Sequence, residues 1–363
     1  METRYESLVR ASLFDKIYGC IAGAEVGSAF GAPVEGWSVE RVQKEIGYVD
    51  KLLPRHGLPL GATEDGVERI RLMCSAIIDK GGRITVDDLA KAWLKHIRPE
   101  SFGPLMLWAD KILYELVKTG IPPADVGRYS NWPGIVSFAR SCYPIGIINA
   151  CNPHQAAIDA FDVGRIYQPL NGYGLDWAAA VTAGVAEAMK PDATVDSVVE
   201  VAVANVAEVV RTEILGGIEI AKKSKDVLNM RPAFYEHYKA EVKPFGNYPW
   251  IWDISMSYEI VTKGFAIFYV TKGDLMKSLV GAANFGRDTD CLCAVSGGIS
   301  GAFSGIGGVP KDWIETVDRA TKMNSLTVSQ RTSLKETAMG LFEAVKKNME
   351  SMEKQIRYIK QQL

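Results

Sequence analysis

The sequence predicts an all-α fold: a single compact multi-helix domain over residues 1–325, followed by a long C-terminal helix over 326–363. Three observations carry this. Apolar residues recur at helical spacing through most of the 363 residues, no stretch sustains a two-residue alternation, and the short β-branched runs fall inside longer helical periods. Pro and Gly clusters separate the helices without any shift in composition that would mark an inner boundary.

The first helix spans Ser12 to Phe30, with glycines at Gly19, Gly23, Gly27 and, just past its end, Gly31. Four-residue spacing puts them on one face, and since Gly weakens a helix, the stripe implies close approach of another backbone. A matching stripe at Gly297, Gly301 and Gly305 identifies the partner helix, and the pairing brings Ala32-Pro-Val-Glu-Gly36 within reach of Asp288 and Asp290 if the helix ends coincide. A Pro- and Gly-rich loop from Leu53 to Gly61 then leads through Ala62-Thr-Glu-Asp-Gly66 into a helix over Val67 to Asp79. The next helix starts near Thr85 or Val86 and buries Ala90, Trp93 and Leu94. Further helices are predicted at Leu105–Thr119, Gly134–Ala150, His154–Gln168, Leu175–Met189, Val195–Val210, Ile214–Lys223, Arg231–Glu241, Ile251–Tyr269 and Gly273–Asn284. In the tail, Leu341, Val345, Met349, Met352, Ile356, Ile359 and Leu363 form a narrow apolar seam on a charged helix. Packing on its own domain and homodimerisation are both open to such a seam.

Charge and cysteine usage narrow the function classes. With 41 basic against 43 acidic residues there is no electrostatic case for nucleic acid or an anionic membrane. The 19 uncharged residues from Cys291 to Val309 include six Gly and three Ser, which makes them too weakly apolar for lipid and better suited to a tightly packed buried helix. Six cysteines without CxxC spacing read as reduced core thiols, and the charged N-terminus lacks the apolar core of a signal peptide, so a cytoplasmic location is expected. The four histidines fall in no ligand spacing, which argues against a zinc site or a His-based triad.

The chemistry is concentrated in two acidic, hydroxyl-bearing clusters that each precede a helix: Thr63, Glu64 and Asp65, then Asp288, Thr289 and Asp290. Such groups can cap the exposed N–H groups of a helix, or they can supply the several oxygen ligands a hard divalent cation needs. Two cations would also neutralise carboxylates that could not otherwise share a site without large pKa rises. Two separately capped helices remain the structural alternative.

The stretches Gly23-Ala-Glu-Val-Gly-Ser-Ala-Phe-Gly-Ala-Pro-Val-Glu35, Ala62-Thr-Glu-Asp-Gly66 and Gly286-Arg-Asp-Thr-Asp290 together resemble, in order, the motifs of the ADP-ribosylglycohydrolase family. The resemblance covers roughly residues 12 to 320. It implies an all-α domain that binds two Mg²⁺ or Mn²⁺ ions and cleaves a bond at the anomeric carbon of ribose, with a ribosyl or ADP-ribosyl substrate. It assigns Thr63, Glu64, Asp65, Asp288 and Asp290 to the metals and sets Glu35 beside them. The chain departs from the family at Glu64 and Gly66, where the usual pattern is Thr-Asp-Asp-Thr, at Cys291, where a hydroxyl is usual, and at Glu25, where an aspartate is usual. The family's central Asn-Gly stretch appears only loosely, as Asn131 to Arg140.

Hydrolysis at ribose builds oxocarbenium character and requires a carboxylate to accept the proton of the attacking water. Glu35, Asp65 and Asp288 are the catalytic candidates. Substrate contacts are expected from Glu35, from Tyr167, Asn171 and Tyr173 in an aromatic loop, and from Arg140 and Arg287, which suit a phosphate. Phe245 to Trp252 forms a second aromatic loop. A nucleoside-type N-ribohydrolase and a family member that binds without turnover are the alternatives.

Overall fold

The structure is a computed structural model. It describes residues 11–55, 57–63, 65–102, 108–130, 132–170, 174–238, 254–323 and 333–363. Among them are seventeen α-helices and no strand. In chain order the helices are α1 (Leu13–Gly31), α2 (Val39–Glu45), α3 (Asp65–Lys80), α4 (Val86–His96), α5 (Trp108–Lys118), α6 (Pro123–Val126), α7 (Tyr143–Ile148), α8 (Pro153–Val163), α9 (Gly174–Ala188), α10 (Val195–Ala204), α11 (Glu208–Lys222), α12 (Val227–Tyr238), α13 (Ser257–Val270), α14 (Leu275–Ala283), α15 (Thr289–Ser304), α16 (Lys311–Met323) and α17 (Leu334–Lys360). The all-α expectation holds. Among the described residues no helix is long and apolar enough to cross a membrane.

The most extensive contact in the molecule is between α1 and α15, which run antiparallel at the centre. The glycine stripes are the reason. A methyl at Gly19 would lie 2.6 Å from Gly301 O, and one at Gly27 would lie 2.6 Å from Cys293 O. At Gly23 and Gly31 it would strike the backbones of Gly297 and Thr289. Backbone therefore meets backbone over four turns, which no larger residue at these positions allows. Thr289 Oγ1 donates to Gly31 O at 2.8 Å, so the C-terminal end of α1 meets the N-terminal end of α15. Around this pair pack α9, α13 and α14 against α15, and the first half of α17 against α1, α3 and α7.

Four predicted helices are shorter or broken; the one predicted over 251–269 starts only at Ser257, after the non-helical residues 254–256. Only Tyr143–Ile148 is helical within 134–150. Pro144 has no N–H to donate to Arg140 O, so a helix cannot run through it from residue 134, and it stands in the first turn of α7, where a missing N–H costs nothing. The 195–210 prediction splits at Asn205, whose side chain donates to Val201 O at 2.8 Å while Ala207 N donates to Asp176 Oδ1 at 3.3 Å. The helix predicted to reach Gln168 ends at Val163 and continues as one 3₁₀ turn. Three helices, α2, α6 and α16, carry short patterns that the reading of the sequence passed over.

The seam of α17 divides along its length. Leu341 is fully buried, whereas Met349, Met352, Ile356, Ile359 and Leu363 are exposed.

Candidate active site

The N-terminal ends of α3 and α15 deliver carboxylates to one place, beside the end of α1. Asp65 is the first residue of α3 and Asp288 is the N-cap of α15. Gly286 and Arg287 both adopt left-handed backbone, φ 81° and 68°, and this turn points Asp288 into the helix end. Strain of that kind at a non-Gly residue persists only where neighbours fix it. Here Gly36 N donates to Arg287 O at 2.7 Å, and Arg287 N donates to Trp37 O at 3.0 Å. The same two bonds carry the 32–36 loop to the triplet, as the paired glycine stripes require.

Arg140 holds the cluster together. Its Nη1 lies 3.0 Å from Asp290 Oδ2 and 3.7 Å from Asp65 Oδ1, and its Nη2 donates to Ser28 Oγ on α1 at 2.9 Å. Asp65 also pairs with Arg69 at 2.6 Å, one turn along α3, and Arg69 in turn makes a bidentate pair with Asp110 on α5 at 3.1 and 2.5 Å. Burial alone would raise the Asp65 carboxyl, but Arg69 and Arg140 outweigh it and hold it below the usual carboxylate range. Asp288 Oδ1 accepts from Cys291 N at 3.2 Å, while its Oδ2 is buried with no hydrogen-bond partner among the described residues. Burial pushes the Cys291 thiol well above its ordinary value, so it stays protonated.

The predicted site residues do not all meet. Asp65, Asp288 and Asp290 converge, and Thr63 is buried just before α3. Glu64, Asn171 and Tyr173 lie outside the described residues, as do Asn131 and the Phe245–Trp252 loop. Thr289 is a latch between helices, since its hydroxyl is given to Gly31 O. Glu35 is largely buried and pairs with Arg55 at 3.2 Å. Arg287 does not face a phosphate: it forms a bidentate pair with Glu259 at 2.7 and 2.9 Å and is buried, with Lys263 on the same carboxylate. Arg140 is likewise committed to carboxylates. Tyr167 is a core residue, 2% exposed, packed between Trp93 and Phe138. Glu25 sits within α1 and pairs with Arg71 at 2.7 Å, bracing α1 to α3. The reading of the sequence missed Arg69, Asp110, Ser28 and Glu259. Of these, only Arg69 left a local signal, four residues after Asp65 on one helix face.

The fit of cations was tested on this geometry. Asp288, Asp290 and Cys291 bring one potential ligand atom each within 4.8 Å of one another. The two-ion arrangement does not fit, because the space between Asp65 and Asp290 holds the Arg140 guanidinium and the third atom of the triad is a sulfur, a soft ligand poorly suited to a hard cation.

An all-α protein with aspartates gathered at two helix N-termini is the class that fold and site define. The sequence matches the ADP-ribosylglycohydrolase family over residues 9–350, and the chain belongs to that family. It is 28% identical over 315 residues to an uncharacterized protein of Archaeoglobus fulgidus, covering 83% of this chain and 91% of that one. Its fold is similar to that of a solved ADP-ribosylglycohydrolase-related protein complex, with TM-score 0.65, 17% identity and coverage of 92% of this chain and 99% of that one. Family membership supports a hydrolase of glycosidic bonds.

Proposed function

We propose that this chain hydrolyses the glycosidic bond at the anomeric carbon of ribose in an ADP-ribosyl compound. The observation that carries the reading is the buried Asp288 Oδ2, without a hydrogen-bond partner among the described residues, at the cluster of Asp65, Asp288 and Asp290. As the leaving group departs, positive charge grows on the ribose ring, and the ionised carboxylates stabilise it. Asp288 Oδ2 takes the proton of the attacking water. Asp65 is a poorer base, because Arg69 and Arg140 hold it ionised and weaken its hold on a proton. Asp65 therefore acts by fixing Arg140 and the local field. Glu35, with Arg55, is the candidate to donate a proton to the leaving group.

The commitment of both Arg140 and Arg287 to carboxylates favours a second reading, in which the substrate is a smaller ribosyl compound without a diphosphate.

The test compares ADP-ribose release from ADP-ribosylated arginine and serine peptides with ribose release from nucleosides, with Mg²⁺ or Mn²⁺ present. Asp288→Asn removes the base but keeps a good N-cap, so the fold should survive while the rate falls by about 10²–10⁴-fold. Release that is unaffected by this change would remove Asp288 from the mechanism. No release from any substrate would leave a binding protein.

A further inference from the structure

We propose that the Arg140 guanidinium is a resident cation of the cluster, so that the chain takes up at most one divalent ion. This rests on the carboxylate cluster being the functional site, but not on any turnover there.

The argument begins with position. Arg140 Nη1 bridges Asp65 Oδ1 and Asp290 Oδ2, one carboxylate from α3 and one from α15, as a bridging ion would. The side chain is 3% exposed, and its other terminal nitrogen is tied to Ser28, so it is anchored on three helices. A guanidinium this deep requires carboxylate partners, and Asp65 and Asp290 supply them. A divalent ion set between the same two carboxylates would face a buried like charge in a medium that screens it weakly.

Gly66 supplies the second observation. A methyl there would lie 2.6 Å from Arg140 Nη1 and nearer still to Cζ, so any side chain at position 66 forces the guanidinium to move from this seat. Gly66 carries no positive φ, so its backbone conformation gives no reason for glycine. Space for Arg140 does.

The test counts ions. The full-length chain, stripped with chelator, is dialysed against Mn²⁺ and bound metal is measured per chain, with circular dichroism to confirm the fold. Wild type should bind one Mn²⁺ or none. Arg140→Met, which keeps volume and removes charge, should bind one more than wild type. Gly66→Ala should do the same by displacing the guanidinium, and it carries the test if Arg140→Met does not fold. Two Mn²⁺ on the wild type would overturn the proposal, as would folded variants that bind no more than wild type. The count is read whether or not a glycosidic bond is cut, so its failure is distinct from failure of the proposed activity.

Discussion

The close backbone approach of α1 and α15 yields a prediction whose sign can be worked in advance. In Gly27→Ala the new methyl would lie 2.6 Å from Cys293 O, 2.9 Å from Cys293 C and 3.0 Å from Leu279 Cδ2, against 3.4 Å or more for ordinary contact. The Leu279 side chain can turn away, but the Cys293 carbonyl is helix backbone, so α1 and α15 must part by about 0.8 Å. Overpacking of a core costs about 1–3 kcal/mol, and a backbone obstacle sits at the upper end. The gain in helix propensity from Gly to Ala returns about 1 kcal/mol. The net expectation is about 2 kcal/mol of destabilisation. Gly216→Ala is the control: Gly216 lies inside α11, exposed, with nothing within 4 Å of its methyl position, so only the propensity gain of about 1 kcal/mol remains. Urea denaturation with linear extrapolation measures both. If Gly27→Ala proved as stable as Gly216→Ala, the backbone-contact argument for the centre of the fold would be wrong.

Two further predictions follow from the buried pairs and the tail. Burial alone would raise the Glu259 carboxyl, but Lys263 and Arg287 together hold it below the usual range. Its contribution to stability is therefore full above the unfolded value of about 4.3 and is lost as pH falls through the lower folded value. Glu259→Gln should cost about 3–5 kcal/mol at neutral pH by stranding two buried cations, and urea titrations at several pH values should show the gap to wild type narrowing below about pH 4. The exposed half of α17 is a helix with an unused apolar seam, and so short a piece has little stability of its own in water. If two copies pair through it, sedimentation should show a dimer that Ile356→Glu converts to monomer, and a monomeric wild type would remove the pairing.

The sequence announced the centre of the fold because glycine stripes have a single physical cause. Gly19, Gly23 and Gly27 meet the stretch from Cys293 to Gly305, as their spacing required. The Asp65, Asp288 and Asp290 cluster was legible for a related reason: carboxylates just before apolar helices have few roles. What stayed hidden depended on distance along the chain. Arg140 is 75 residues from Asp65 and 150 from Asp290, and nothing in its neighbourhood says that it turns inward between them. Arg287 and Tyr167 misled because a phosphate-facing arginine and a buried, carboxylate-paired one have the same letter, as do a stacking tyrosine and a core tyrosine. The broken helices at 134–150 and 195–210 show periodicity continuing across positions where Pro144 and Asn205 redirect the backbone.

The Thr289 hydroxyl on Gly31 O also bears on how this scaffold can change. Main-chain atoms, with that one latch, set the spacing between the triplet and the end of α1, so substitutions away from the glycine stripes have little purchase on it. Selectivity among ligands is then free to reside in the connecting loops, which can lengthen, shorten or be exchanged between relatives without resetting the frame. A loop graft onto this chain should keep its fold and alter only what enters.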